Sequence, residues 1–170
     1  MMRRNFLIAV IFIVALGGCR EYRDDPACSQ YEYMSFKKFR DSVVVEKPRD
    51  IENAGKIYIY GDMLLVNEKN KGVHIIDNSD KSNPIPKAFI KIYGNIDIAV
   101  KDGYLYADSF MDLVIIDINN IKDIKEVNRK EDIFPYDEYQ LFDDYSSYQF
   151  DKCGLDLDKG IVVGVDNEAE

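Results

Sequence analysis

Few of the 170 residues could do chemistry: one histidine, His74; cysteines at 19, 28 and 153; and acidic clusters at Asp77, Asn78, Asp80 and at Asp156, Asp158. A lone histidine with no serine or cysteine nucleophile pattern beside it lacks the partners that acid–base or covalent catalysis needs. His74 lies in an apolar strand pattern and is expected to be a satisfied structural residue. No second histidine joins Cys28 and Cys153, which disfavours zinc. The acidic clusters offer hard oxygen ligands, and alternation would put Asp156 and Asp158 on one side of a strand. The calcium-loop pattern with its glycine and distal glutamate is missing. Asp77 and Asp117 instead stand where an aspartate closes a strand by bonding the turn that follows. No catalytic residue, cofactor or metal is expected, and the chain is not expected to be an enzyme.

A second set of residues points to recognition. Tyr136, Tyr139, Phe142, Tyr145, Tyr148 and Phe150 punctuate an acidic stretch, residues 132–151. Tyrosine supplies large contact area with a polar tip, so this run could stack on a polysaccharide or hold a protein partner. The favoured alternative is that its rings fold back onto the body of the domain. A net charge of −9 and a pI near 4.7 disfavour nucleic acid.

The first cysteine has its own context. Arg3 and Arg4 precede an apolar run, Phe6 to Leu16, which is too short for a bilayer core of about 30 Å that needs roughly 20 residues. The run ends in Leu16-Gly17-Gly18-Cys19, which resembles the bacterial lipobox: small residues admit a peptidase and the cysteine takes the lipid. Residues 1–18 are therefore expected to be a lipoprotein signal peptide, with Cys19 the lipidated first residue of a membrane-attached chain. Multiple acyl chains hold a protein durably where one is marginal. Arg20, not an aspartate, follows Cys19, which favours the outer membrane, on its periplasmic or surface face. Cys28 and Cys153 then remain, an even number in an oxidising compartment. They either pair, closing a loop of about 125 residues worth about 4 to 5 kcal/mol, or are two unrelated thiols.

Residues 19–34 read as a polar tether and 35–54 as a short helix and linker, with Ser35 as N-cap and Phe36, Phe39 and Val43 at helical spacing. From Gly55 the period changes to two. KIYIY, MLLVNE, GVHIID and KAFIKI form one set of four strands, and NIDIAV, YLYADS, LVIID and KEVNRK a second, with Asp102-Gly103 a type I′ hairpin signal. Sliding residues 61–77 forward by 40 aligns Asp62 with Asp102, Leu65 with Leu105, Ile75 with Ile115, Ile76 with Ile116 and Asp77 with Asp117. Five identities in seventeen, where chance gives about one, establish a repeat, and four strands at this period are the mark of a propeller blade. The fold class is all-β: two four-stranded blade-like repeats, 55–94 and 95–134, in an incomplete propeller. Residues 135–170 hold the aromatic insertion and one further strand, Gly160 to Val165.

Residues 55–84 and 88–120 resemble the LVIVD-repeat family of bacterial cell-surface lipoproteins, with Leu113-Val114-Ile115-Ile116-Asp117 the nearer copy of the motif and Val73-His74-Ile75-Ile76-Asp77 the more divergent. The resemblance implies β-propeller architecture, and its motifs are structural. Two repeats, where relatives resemble longer arrays, suggest a short or truncated member. The expected task is cell-envelope binding or scaffolding on a lipid anchor, with self-association a way to cover open blade faces. The rivals are a decayed fragment of a longer propeller lipoprotein and a part of a propeller enzyme.

Overall fold

The computed structural model describes residues 30–137, 140–141 and 156–166. Strand β1 (Gln30–Met34) opens it, followed by one short helix, α1 (Phe36–Arg40), and by β2 (Val44–Glu46). The Ser35 hydroxyl accepts the Lys38 N–H at 3.4 Å, capping α1, while Phe39 anchors it in the interior. The helix stops at Arg40, short of Val43. Three successive valines, 43 to 45, are stiff at χ1 and favour a pleated backbone, and β2 uses that preference to pair along β6 (Ile85–Lys91).

The first repeat is an antiparallel meander of β3 (Ala54–Tyr60), β4 (Met63–Glu68), β5 (Gly72–Asp77) and β6, which β2 extends to five strands. The second is β7 (Ile98–Lys101), β8 (Tyr104–Ser109), β9 (Asp112–Asp117) and β10 (Lys125–Lys130). Asp102 and Gly103 both adopt positive φ, 52° and 79°, as a type I′ turn requires. The architecture is all-β with two blade-like sheets, and the sheets do not close on one another.

Cross-strand pairing decides which side chains share a face. Leu65, Val73, Ile75, Ala88 and Ile90 form the back of blade 1, and Ile98, Val100, Leu105, Ala107, Val114 and Ile116 form the front of blade 2. These two faces make one continuous core. The inner strands β3 and β7 lie side by side, tied by the Tyr58 hydroxyl, which donates to the Val100 carbonyl at 3.2 Å, and by Lys56 with Asp97 at 2.5 Å.

Back-to-front stacking shows that Leu65 and Leu105, aligned by sequence, point opposite ways. After a two-residue turn in each blade, Met63 corresponds to Tyr104 and Leu65 to Tyr106, an offset of 41. The following loop holds three residues in blade 1 (Lys69 to Lys71) and two in blade 2 (Phe110 and Met111). That difference restores the offset of 40 for the third strands, so Ile75 with Ile115 and Asp77 with Asp117 are true equivalents.

A second, smaller core lies where α1 meets the Phe110–Met111 turn. Met34, Phe39, Phe110, Met111 and Ile161 are its buried residues. The end of the expected tether is part of it: β1 pairs antiparallel with β11 (Ile161–Asp166), from Gln30 opposite Asp166 to Met34 opposite Ile161. The expected late strand is therefore present, and it pairs with the N-terminal edge.

Candidate functional site

Strand β4 ends in Glu68, a carboxylate fully buried on the front of blade 1. His74 Nε2 lies 2.7 Å from Glu68 Oε2, Arg49 Nη2 lies 3.2 Å from the same oxygen, and Lys71 Nζ is 3.3 Å from Oε1. Burial pushes the Glu68 carboxyl up, but hydrogen bonds from His74 and Lys71 together with the Arg49 charge outweigh it, and Glu68 titrates below the ordinary value. An ionised carboxylate only accepts, so His74 Nε2 carries the proton of that bond. Arg49 Cζ lies over Phe89, 3.7 Å from the ring centroid, and His74 tilts against the same ring at 4.7 Å. His74 is thus buried between Glu68 and Phe89.

Blade 2 has a matching buried carboxylate in Asp112, at the start of β9. Arg40 reaches it from α1, Arg129 from β10 with Nη1 at 3.0 Å from Oδ2, and the Asp132 N–H donates at 2.9 Å. Arg129 is itself forked onto Glu126 at 2.9 and 3.0 Å. Burial raises the Asp112 carboxyl and these donors more than reverse it, leaving it below the ordinary value. Asp108 differs: burial dominates and holds it up, against the N–H groups of Asp97 and Ile96 and the Asn95 amide, all of which it accepts.

The strand-closing aspartates behave as their spacing predicts. Asp77 Oδ1 accepts the Ser79 N–H at 3.1 Å and its hydroxyl at 2.7 Å, which with Lys87 lowers the carboxyl to about 2. Asp117 Oδ1 accepts the Asn119 N–H at 3.0 Å and titrates low for the same reason. Asp156 and Asp158 do not share a strand face. Leu157–Lys159 form a 3-10 turn in which Asp158 is exposed, while the Asp156 N–H donates to the Tyr33 hydroxyl at 3.0 Å. Among the described residues no group of three or more acidic, histidine or cysteine side chains is placed to hold a metal ion.

Of the aromatic run, Tyr136 is described. Its ring meets Phe110 edge-on at 5.8 Å and its hydroxyl accepts the Val162 N–H at 2.9 Å, binding the segment after blade 2 to β11. Tyr139, Phe142, Tyr145, Tyr148 and Phe150, with Cys19, Cys28 and Cys153, lie outside the described residues. Sequence reasoning missed the Arg40–Asp112–Arg129 and Arg49–Glu68–His74 clusters, whose only local signal is an acidic residue beside each second hairpin loop. Between α1 and the end of β6 an open cleft of 530 Å³ is lined by Lys37, Lys38, Asp41, Val44, Lys91 and Tyr93, a basic spot on an acidic molecule.

The model of the LVIVD repeat matches residues 52–90 and 94–129, each span covering one blade. No curated protein and no solved structure matches the chain.

Proposed function

We propose that this chain, which carries two LVIVD repeats, is a lipid-anchored binding or scaffolding module of the cell envelope. The observation that carries the anchor is the apolar run from Phe6 closed by Leu16-Gly17-Gly18-Cys19. A lipid on Cys19 leaves few residues between the membrane and β1, so the blades stand close to the surface that holds them. The buried ionisable groups support a binding task. Glu68 and Asp112, with the half-buried Asp108, are each engaged by donors from neighbouring segments and hold strand ends and loops in register, so the blades present surface to a protein or polysaccharide partner. The basic cleft beside α1 adds a place where an acidic group could dock.

Metabolic labelling with radioactive palmitate tests the anchor. Wild type should take up label, lose its first 18 residues and fractionate with the outer membrane. Cys19→Ala should accumulate as an unlabelled precursor. Equal labelling of both would remove the lipid anchor and with it the envelope placement.

A further inference from the structure

The blade contact inside this chain has two unlike halves, and each outer side of the molecule repeats one of them. In blade 2 the front residues Ile98 and Val100 are 2% and 7% exposed, because the back of blade 1 covers them. With the offset of 41 their blade 1 equivalents are Ile57 and Ile59, and these stand 61% and 66% exposed. Two large branched side chains on one face of an inner strand are thus left in water where their counterparts are dry.

The other outer side mirrors this. Leu65, Val73 and Ile75 on the back of blade 1 are fully buried, whereas their equivalents Tyr106, Leu113 and Ile115 on the back of blade 2 are only half-buried. Ala99, Tyr106, Leu113 and Phe134 line a hollow of 180 Å³ there, rimmed by Lys56, Asp97 and Asp108. The outer parts of blade 1's front are covered by the chain itself: the segment from Lys47 to Asn53 crosses it, with Arg49 on Phe89 and Glu52 paired to Lys71. Among the described residues, what remains open is the zone of the inner strands, the same zone in which β3 and β7 touch within the chain.

We propose that a second copy of this chain covers both faces. The back of blade 2 in one copy seats on the front of blade 1 in the other, and two-fold symmetry repeats that contact to close a four-blade ring. The surface complementary to each open face is the molecule's own opposite face, which singles out a copy of itself over an unrelated partner. Head-to-tail contacts close into rings where the rotation permits, and four blades is the lower end of the usual propeller range. This goes beyond the membrane-anchoring proposal and does not depend on the lipid.

Native mass spectrometry of the full chain, purified in mild detergent, tests it. The expected species has two chains. Ile59→Asp and Ala99→Asp both change exposed side chains, one on each open face, so each variant should fold and run as a monomer. Mixing them should recover a two-chain species, because one variant keeps an intact back and the other an intact front. Ile85→Asp, exposed on the outer strand β6, should leave the pair intact. A wild-type monomer, a pair that survives Ile59→Asp, or a mixture that stays monomeric overturns the proposal.

Discussion

Arg40 and Asp112, separated by 72 positions in the chain, are joined by two hydrogen bonds, Nε to Oδ2 at 3.0 Å and Nη2 to Oδ1 at 3.3 Å. A guanidinium fork on a carboxylate fixes orientation as well as distance. It pins α1 across the start of β9 and so fastens the N-terminal segment to blade 2. Removing one partner of a buried pair strands the other's charge, which costs about 3 to 5 kcal/mol. Asp112→Ala should lower the unfolding free energy by less than that, measured by urea titration, because Arg129 keeps its fork on Glu126 and Arg40 keeps Glu131 and Asp132. Arg40→Ala should cost less, since Arg129 and the Asp132 N–H still serve the carboxylate.

The same carboxylates set the acid limb of stability. Glu68, Asp77, Asp97, Asp112 and Asp117 titrate below their ordinary values in the folded chain. A lowered folded-state value contributes stability that is present above the unfolded value and is lost as pH falls through the folded one. Asp108 is raised and runs the other way, favouring the fold at low pH and losing that contribution as pH rises through its folded value. Five groups oppose one, so stability should decline as pH drops below the ordinary carboxylate range, with net proton uptake on unfolding. Thermal melts from pH 7 to pH 3 check this, and Asp112→Asn should show a shallower decline than wild type.

Much of this fold is visible in the sequence because β-branched and aromatic runs lie between turn signals; burial alternates strictly in YLYADS, whereas GVHIID is buried on both faces. MLLVNE, GVHIID, YLYADS and KEVNRK occupy the strands that their pattern gives. The blade alignment is half legible: the third strands match at 40, but the identities of Asp62 with Asp102 and Leu65 with Leu105 join opposite faces, since a one-residue slip inverts a strand. β2 escapes detection because it is a short edge strand with no buried residue, Val44, Val45 and Glu46 all being exposed, and β1 because its five residues pair only with the distant β11. The ion clusters are hidden for a different reason. Arg40 with Asp112 is a contact of topology, and no local pattern announces it.

Tyr136 contributes through its hydroxyl as well as its ring. The oxygen accepts the Val162 N–H at 2.9 Å, in a part-buried setting where that donor has little access to water. Tyr136→Phe keeps the edge contact with Phe110 and removes the acceptor. An unsatisfied buried N–H costs about 1 to 3 kcal/mol. The expected result is a loss in that range together with faster amide exchange at Val162, read by hydrogen–deuterium exchange. Unchanged exchange would show that the hydroxyl does not secure β11.

Gly94 and Phe110 should be coupled more tightly than their separation in sequence suggests. Gly94 has φ 68°, a left-handed conformation that costs an L side chain about 1 to 2 kcal/mol. A Cβ there would also fall 2.6 Å from the Phe110 ring. That ring cannot retreat freely, because Phe39 meets it edge-on at 5.8 Å on one contact and Tyr136 at 5.8 Å on another. Overpacking of this kind adds about 1 to 3 kcal/mol to the backbone cost. Gly94→Ala should therefore destabilise by about 2 to 5 kcal/mol, the sum of those two ranges. Phe110→Ala alone should also be costly, since it empties the smaller core. In the double variant the clash is gone while the backbone cost stays, so the combined loss should fall short of the sum of the single losses by about the overpacking contribution. A double-mutant cycle by urea unfolding reads that difference directly, and strict additivity would mean that the Phe110 ring moves aside without cost.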